Sequence, residues 1–579
     1  MSDFSADGST FAGNLISVAS MPAYALLREK NVRFSASDGT VLSANVYRPE
    51  ADGRFPVILA HGIYGKDAHI ADAYKLQWDK LQELHPTLFK EGTSGRYARW
   101  ETADPEKWVP EGYVVIQVDA RGTGQSPGYL DPFSPREIQD YYDAIEWAAS
   151  QPWSSGKVGL LGISYYAISQ WLVAAMRPPH LAAIVPWEGG SDHYRDWSHH
   201  GGIHSNTFCE GWWPRQVLPN QHGNGATAHR DRETGERTTG EPLDPMQLEG
   251  NRAAYVDEIG RHPLDDAWHT QRSPRLERIE VPVLSAGNWG GAGLHLRGNI
   301  EGWMRCGSTR KWLSIHDGTH FESFYLPEYV AMQKRFFERY LKKVDNGWES
   351  EPPVQLSIRR PGAVSVRRAE TAFPLPRTRS VSFHLDAEKG ALSERMPSAS
   401  AEGHFEAATG QLDFSTPPFE QDCEFTGFVS LRLWISSSTR DADIFATLRA
   451  LDPAGREVIF VGASEPVPVA RGWLRASHRK LDETRSTPFR SFHAHNEVQK
   501  LAPGEAYCLD IELWPTCVVL PASYRLVLSI TGRDLQVEGV PGRILHTKST
   551  GLEEYSGRTS VRTGGKFDSR LVLPLVPGR

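Results

Sequence analysis

One stretch constrains this chain more than any other: Val158-Gly159-Leu160-Leu161-Gly162-Ile163-Ser164-Tyr165-Tyr166-Ala167-Ile168-Ser169-Gln170-Trp171. Residues 158–161 read as a short buried strand, Gly162 ends it, and the periodic run from Ala167 reads as a helix. Ser164 falls where the chain must turn sharply, in the strand, nucleophile, helix order of a nucleophile elbow. Small residues are needed there because strand and helix nearly touch. The full motif has glycine at 166, whereas this chain has Tyr166 and then Ala167. Such a turn exposes Oγ at a helix N-terminus and lets the backbone N–H of Tyr165 point at the carbonyl that Ser164 attacks. The plainer alternative is a serine that only caps the helix. The rest of the chain separates the two.

Strands and helices alternate around this stretch. Residues 31–37 and 40–47 read as a hairpin across Asp38-Gly39. Strands follow at 56–60, 112–119, 181–186, 282–287 and 311–316, with helices at 135–149 and 321–344. Alternation at this spacing implies a mostly parallel sheet covered on both faces, whose sites lie beyond the strand C-termini. The loops at 61–67, 119–128, 162–166 and 187–195 leave from those ends and should converge. The implied division is an N-terminal arm at 1–30, a sheet domain at 31–195 and 276–347, a cap inserted at 196–275, and a third part at 348–579. That last part carries short strand-like pieces between Pro and Gly turns, the texture of a β-sandwich or jelly roll.

Composition excludes several classes. The charge of -8, from 63 basic against 71 acidic residues, comes with no strongly basic stretch, so nucleic-acid binding is not favoured. The five cysteines form no CxxC and suggest neither a disulfide scaffold nor a thiolate zinc site. His193, His199, His200 and His204 lack a tight ligand spacing, and neither metal nor cofactor is expected. The start of the chain lacks the pattern of a signal peptide, and no apolar run reaches transmembrane length, so the expectation is a cytoplasmic protein with no membrane partner. Eighteen tryptophans, many between 147 and 312, suggest an aromatic-walled cavity or simply a large core.

A serine nucleophile needs a base, and His320 follows a late strand in His316-Asp317-Gly318-Thr319-His320. His316 ends that strand and is expected to pack or bond locally. An oxyanion hole would draw on the Tyr165 N–H and on Tyr64, through its phenol or its backbone N–H. Asp119 and Arg121 are expected to be structural. The third member, an acid, should follow the strand at 282–286, but Gly287-Asn288-Trp289-Gly290-Gly291 stands there, with no carboxylate before Glu301. Glu188 and Asp192 follow the strand at 181–186 and could reach the histidine from that side. Glu188 is preferred, while Asp192 could instead cap a turn or pair with Arg195. Asp317 and Asn288 are further candidates.

Together these residues give the chain a family likeness. Gly162-Ile163-Ser164-Tyr165 with Gln170-Trp171, the loop Asp119-Ala120-Arg121-Gly122-Thr123-Gly124-Gln125-Ser126, and the C-terminal Gly472-Trp473-Leu474-Arg475-Ala476-Ser477 resemble the cocaine esterase and X-prolyl dipeptidyl peptidase family, which includes the α-amino acid ester hydrolases. The likeness runs from about 30 to 570. It implies an α/β-hydrolase domain with a helical cap, followed by a jelly-roll domain. It also implies that Tyr64 supplies a hydroxyl to the oxyanion hole and that His320 is the triad histidine. The family's aspartate position is matched here by Gly291. The expected activity is hydrolysis of a small-molecule ester or amide, with an apolar or aromatic group, through an acyl-enzyme. Alternatives are an X-Pro dipeptidyl peptidase, with cap carboxylates Glu210, Asp257 and Glu258 on a free amine, an amino-acid ester hydrolase, or an impaired acyl-binding protein. A homo-oligomer is compatible with the sequence.

Overall fold

Runs rich in Val, Ile and Leu become strands buried along their whole length, which is what a sheet covered on both faces demands. The computed structural model describes residues 23–463, 466–537, 544–549 and 551–578, so residues 1–22 of the expected arm lie outside the described residues. The first sheet contains β1 (Leu26–Ser35), β2 (Val41–Pro49), β3 (Phe55–Gly62), β4 (Val114–Asp119), β5 (Ser154–Ile163) and β6 (Leu181–Trp187). β1 begins inside the stretch expected to be an arm. A two-residue ribbon, β7 (His199–His200) with β8 (Ile203–His204), stands apart from the sheet, which resumes at β9 (Val283–Asn288) and β10 (Lys311–His316). β11 (Val354–Arg360) and β12 (Ala363–Glu370) extend it.

Pairing gives the order β1-β2-β4-β3-β5-β6-β9-β10-β11-β12. β1, β2 and β12 run antiparallel to their neighbours, and the strands from β4 across to β11 are parallel. Every residue of β3, β4 and β9 is buried.

Between β3 and β4 lie α1 (Ile70–Ala73), α2 (Lys75–Leu84) and α3 (Pro105–Trp108). The crossovers are α4 (Pro135–Ser150) and α5 (Tyr165–Met176). α5 is buried on every side, as its apolar circumference requires. The insertion after β6 holds α6 (Asn206–Trp212), α7 (Pro245–Gly250), α8 (Tyr255–Arg261) and α9 (Ala267–Thr270), all short. Then come α10 (Leu296–Arg305), α11 (Glu322–Tyr325) and α12 (Pro327–Leu341).

The C-terminal part is almost wholly antiparallel sheet. Its longest strands, Cys423–Ser437 and Tyr507–Leu520, pair along most of their length with a bulge between Gly427 and Val429. It has its own apolar core around Leu431, Leu433, Ile511 and Leu528. A third core joins the two parts, with Leu296, Ile300 and Ile358 packed with Phe445, Trp473 and Trp514. The two parts also share a pairing, Arg359 with Val518. Among the described residues no helix is long and apolar enough to cross a membrane.

Candidate active site

The elbow forms because the chain after β5 has room for nothing larger. A Cβ on Gly162 would lie 2.4 Å from Tyr166 Cβ, and one on Gly62, at the end of β3, would lie 2.6 Å from Tyr166 Cε1. Tyr166 therefore takes the place of the motif's second glycine by laying its ring over Gly62. Ser164 adopts φ 55° and ψ -111°, a strained conformation for a residue with a side chain. Its N–H donates to the Trp187 carbonyl at 3.0 Å, and its carbonyl accepts from Ala167 and Ile168 as the helix begins.

Three further groups reach this point from other strand ends. Glu188 directly follows β6 with φ 48°, and its N–H donates to the Ala286 carbonyl at 2.7 Å. Glu188 Oε2 lies 2.8 Å from His320 Nδ1, and Oε1 lies 2.8 Å from His316 Nε2. Asn288 Nδ2 donates to Glu188 Oε1 at 3.3 Å, so the asparagine standing near the missing aspartate supports the carboxylate from the side. Burial opposes ionisation of Glu188, but His320 and His316 outweigh it and hold the carboxyl below its ordinary value. Burial alone would lower His320. The charge of Glu188, together with the hydrogen bond that His320 donates to Glu101, instead raises it to about 10.

The structure differs from expectation at the serine itself. Ser164 Oγ lies 3.1 Å from Nε2 of His295, not of His320. His295 sits in the turn into α10, and its ring stacks on His320 with centroids 4.7 Å apart and planes 5° from parallel. His295 was not singled out in the sequence. Its signal was position, because the loop after β9 that lacks the acid ends in this histidine. One donor atom from each of Glu188, His295 and His320 lies within 4.8 Å of the others, the only such grouping found among the described residues. That is also the proximity of a hydrogen-bonded relay, and we assign none of the three as a metal ligand.

The remaining candidates are placed as follows. Asp192 caps the next turn by accepting from the Tyr194 and Arg195 N–H groups and pairs with the Arg195 guanidinium at 3.0 Å. Its carboxylate makes this cap and this ion pair, while Glu188 is the carboxylate found on His320. Asp317 accepts from Ser365. Tyr64 is buried, with its Oη accepting from Trp212 Nε1 at 2.8 Å, so the phenol's own proton is left to donate. Tyr165 stands at the first position of α5, where a helix has no internal acceptor for its N–H. Asp119 accepts from the Lys66 and Gln125 N–H groups, and Arg121 forks onto Asp140, so both hold loops rather than each other. His193 bonds to His269 and Tyr255, and His200 bonds to His546.

An elbow serine at the C-terminal edge of a parallel sheet, with a buried carboxylate and histidine delivered from later strand ends, defines a serine hydrolase of the α/β-hydrolase fold. Residues 38–322 match the X-Pro dipeptidyl-peptidase (S15 family) profile, and residues 346–572 match the X-Pro dipeptidyl-peptidase C-terminal non-catalytic domain. A solved CocE/NonD family hydrolase from Staphylococcus aureus is 33% identical, with 95% of this chain and 94% of that one covered and a TM-score of 0.82. The cocaine esterase of Rhodococcus sp. is 24% identical over 94% of this chain and 98% of its own length. An α-amino acid ester hydrolase shares the fold at a TM-score of 0.67 and 17% identity, covering 98% of this chain and all of that one. The chain belongs to the CocE/NonD hydrolase family.

Proposed function

We propose that this hydrolase cleaves small carboxylic esters through an acyl-enzyme on Ser164, with His320 as the base and Glu188 as its acid partner. The observation that carries this reading is the 2.8 Å contact between Glu188 Oε2 and His320 Nδ1, beside the ring that holds the serine. A turn of Ser164 about its Cα–Cβ bond carries Oγ from His295 towards the stacked His320. His320 Nε2 then takes the hydroxyl proton as Oγ bonds to the substrate carbonyl carbon, and returns it to the departing alcohol. Water, deprotonated by the same nitrogen, releases the acid. The Tyr165 N–H and the Tyr64 O–H face the developing oxyanion.

Aromatic rings favour an apolar or aromatic substrate group. Tyr64 packs against Tyr74, Tyr165 and Tyr166, and Tyr74 stacks on Trp100. The cap carboxylates offer little support for a peptidase. Glu210 bonds to Asn206 and Lys548, Glu258 pairs with Arg261, and Asp257 is exposed. The C-terminal part, two-sided antiparallel sheet around one core, is taken as a jelly roll, and the expected location is the cytoplasm.

A second reading rests on the direct contact between Ser164 and His295, which would make His295 the base. Labelling of the full chain by a fluorophosphonate tests both. Ser164→Ala should abolish labelling and ester turnover. His320→Gln should lower the labelling rate at least about a thousandfold and His295→Gln only about tenfold. The reverse ranking would give the base to His295, and labelling that persists in Ser164→Ala would end the serine mechanism.

A further inference from the structure

His320 is held on both sides. Its Nδ1 meets Glu188, and its Nε2, the nitrogen that must take the serine proton, lies 3.2 Å from Oε1 of Glu101. Glu101 comes from the segment before α3 and is 2% exposed. Its backbone is locked at φ 61°, a region a glutamate enters at a cost, and its carbonyl accepts from the Ile163 N–H at 3.0 Å, one residue before the nucleophile. Oε2 of the same carboxyl is buried, with the Trp100 indole as its neighbour. A buried carboxylate in strained backbone, tied to the elbow and aimed at the working nitrogen of the base, is more than core packing requires.

We propose that Glu101 is a positioning residue of the base. Its carboxylate holds the Nε2–H of His320 in the resting enzyme, and that bond must break before Ser164 can hand over its proton. This role depends on His320 being the base. In the resting form the His320 ring carries two protons, one donated to Glu188 and one to Glu101, and cannot accept a third. Loss of the Nε2 proton, to Glu101 or to solvent, leaves a neutral ring whose Nε2 lone pair is open to the Ser164 hydroxyl. An ionised Glu101 therefore favours the form that cannot act.

The groups facing this pair come from several elements. Glu188 follows β6, His316 ends β10 and shares Glu188, and His295 stacks from the turn into α10. Tyr64, Tyr74, Tyr166 and Tyr325 surround Glu101, and all four phenols are held neutral by burial. Glu188 and Glu101 are thus the two anions acting on His320. Burial lifts Glu101 to about 7, against the pull of His320, so its charge changes near neutral pH.

The test is the rate of Ser164 labelling by a fluorophosphonate against pH. Glu101→Gln removes one of the two anions that stabilise the imidazolium. The midpoint of the rising limb should fall by about one pH unit or more, a tenfold faster rate on the acid flank relative to the variant's own plateau. Glu101→Asp, which keeps the charge, should keep the limb near the wild-type midpoint. A limb unmoved in Glu101→Gln, even with a lower plateau, would assign Glu101 to structure only and overturn the proposal. The wild-type chain offers a check that needs no variant, since ring ¹⁵N resonances of His320 should show both nitrogens protonated at about pH 8. A neutral ring there overturns the proposal equally. Undiminished labelling in His320→Gln would remove the base reading, and this role with it.

Discussion

Glu101, Ser164 and Glu188 have φ of 61°, 55° and 48°, and none is a glycine. Left-handed backbone at a residue with a side chain costs on the order of 1–3 kcal/mol, and three such residues meet where one hydroxyl and three imidazoles gather. The strain aims side chains. At Glu188 it turns the carboxyl back under the sheet to His316 and His320, whereas Asp192, four residues on, is free to cap a turn. Glu188→Gln keeps the size of the side chain and removes the charge that sustains the imidazolium. It should lower kcat about a hundredfold or more with little change in KM, measured by steady-state ester hydrolysis. An unchanged kcat would take Glu188 out of the relay. Ser164, His320 and Glu188 could be read from the sequence because Ser164 and Glu188 directly follow strands and His320 lies four residues past one, and apolar runs mark where those loops begin. His295 and Glu101 could not. One lies in the loop where a carboxylate was sought. The other sits in an insertion without periodicity, fixed only by a long-range backbone bond to Ile163.

At the scale of the element, the elbow is braced by its neighbour. α4 begins at Pro135 behind a Ser134 cap, and in its first turn Glu137 accepts from the Phe133 N–H and, through both oxygens, from the Tyr165 hydroxyl. The residue next to Ser164 is thereby anchored to the crossover before it. Burial raises Glu137 to about 8, against the hydrogen bonds from Tyr165 and Phe133 that favour its charged form. An acid whose folded-state value lies above its ordinary 4.5 contributes its stability below 4.5 and loses it as pH climbs through about 8. Glu137→Gln removes that dependence. Thermal melts should show the variant gaining on the wild type between these pH values, by roughly 5 kcal/mol at most, with no further gain above them. A constant difference across that range would mean Glu137 is ionised throughout. The helix itself was legible from its apolar spacing, but the acid's partner was not, because Tyr165 lies on another element.

At the scale of the whole molecule, the C-terminal sheet is part of the catalytic body. His320 donates its backbone N–H to the Ala463 carbonyl, and Ala463 in turn donates to Gly290. Gly201 meets the Trp473 carbonyl so closely that a Cβ there would lie 1.9 Å from its oxygen. The loop carrying His320 is thus seated on the second part of the chain. The alternation of strands and helices and the later all-strand texture made both parts legible, whereas the core that joins them, built from single residues far apart in sequence, left no periodic trace. Closure has a kinetic consequence. Ser164 is only 5% exposed, so access to its hydroxyl is one step that can limit turnover. When opening is the slow step, turnover should be indifferent to how readily the alcohol departs. Across phenyl esters of graded phenol acidity, a plot of log kcat against leaving-group pKa should be nearly flat, and a steep slope would mean the doorway stands ajar.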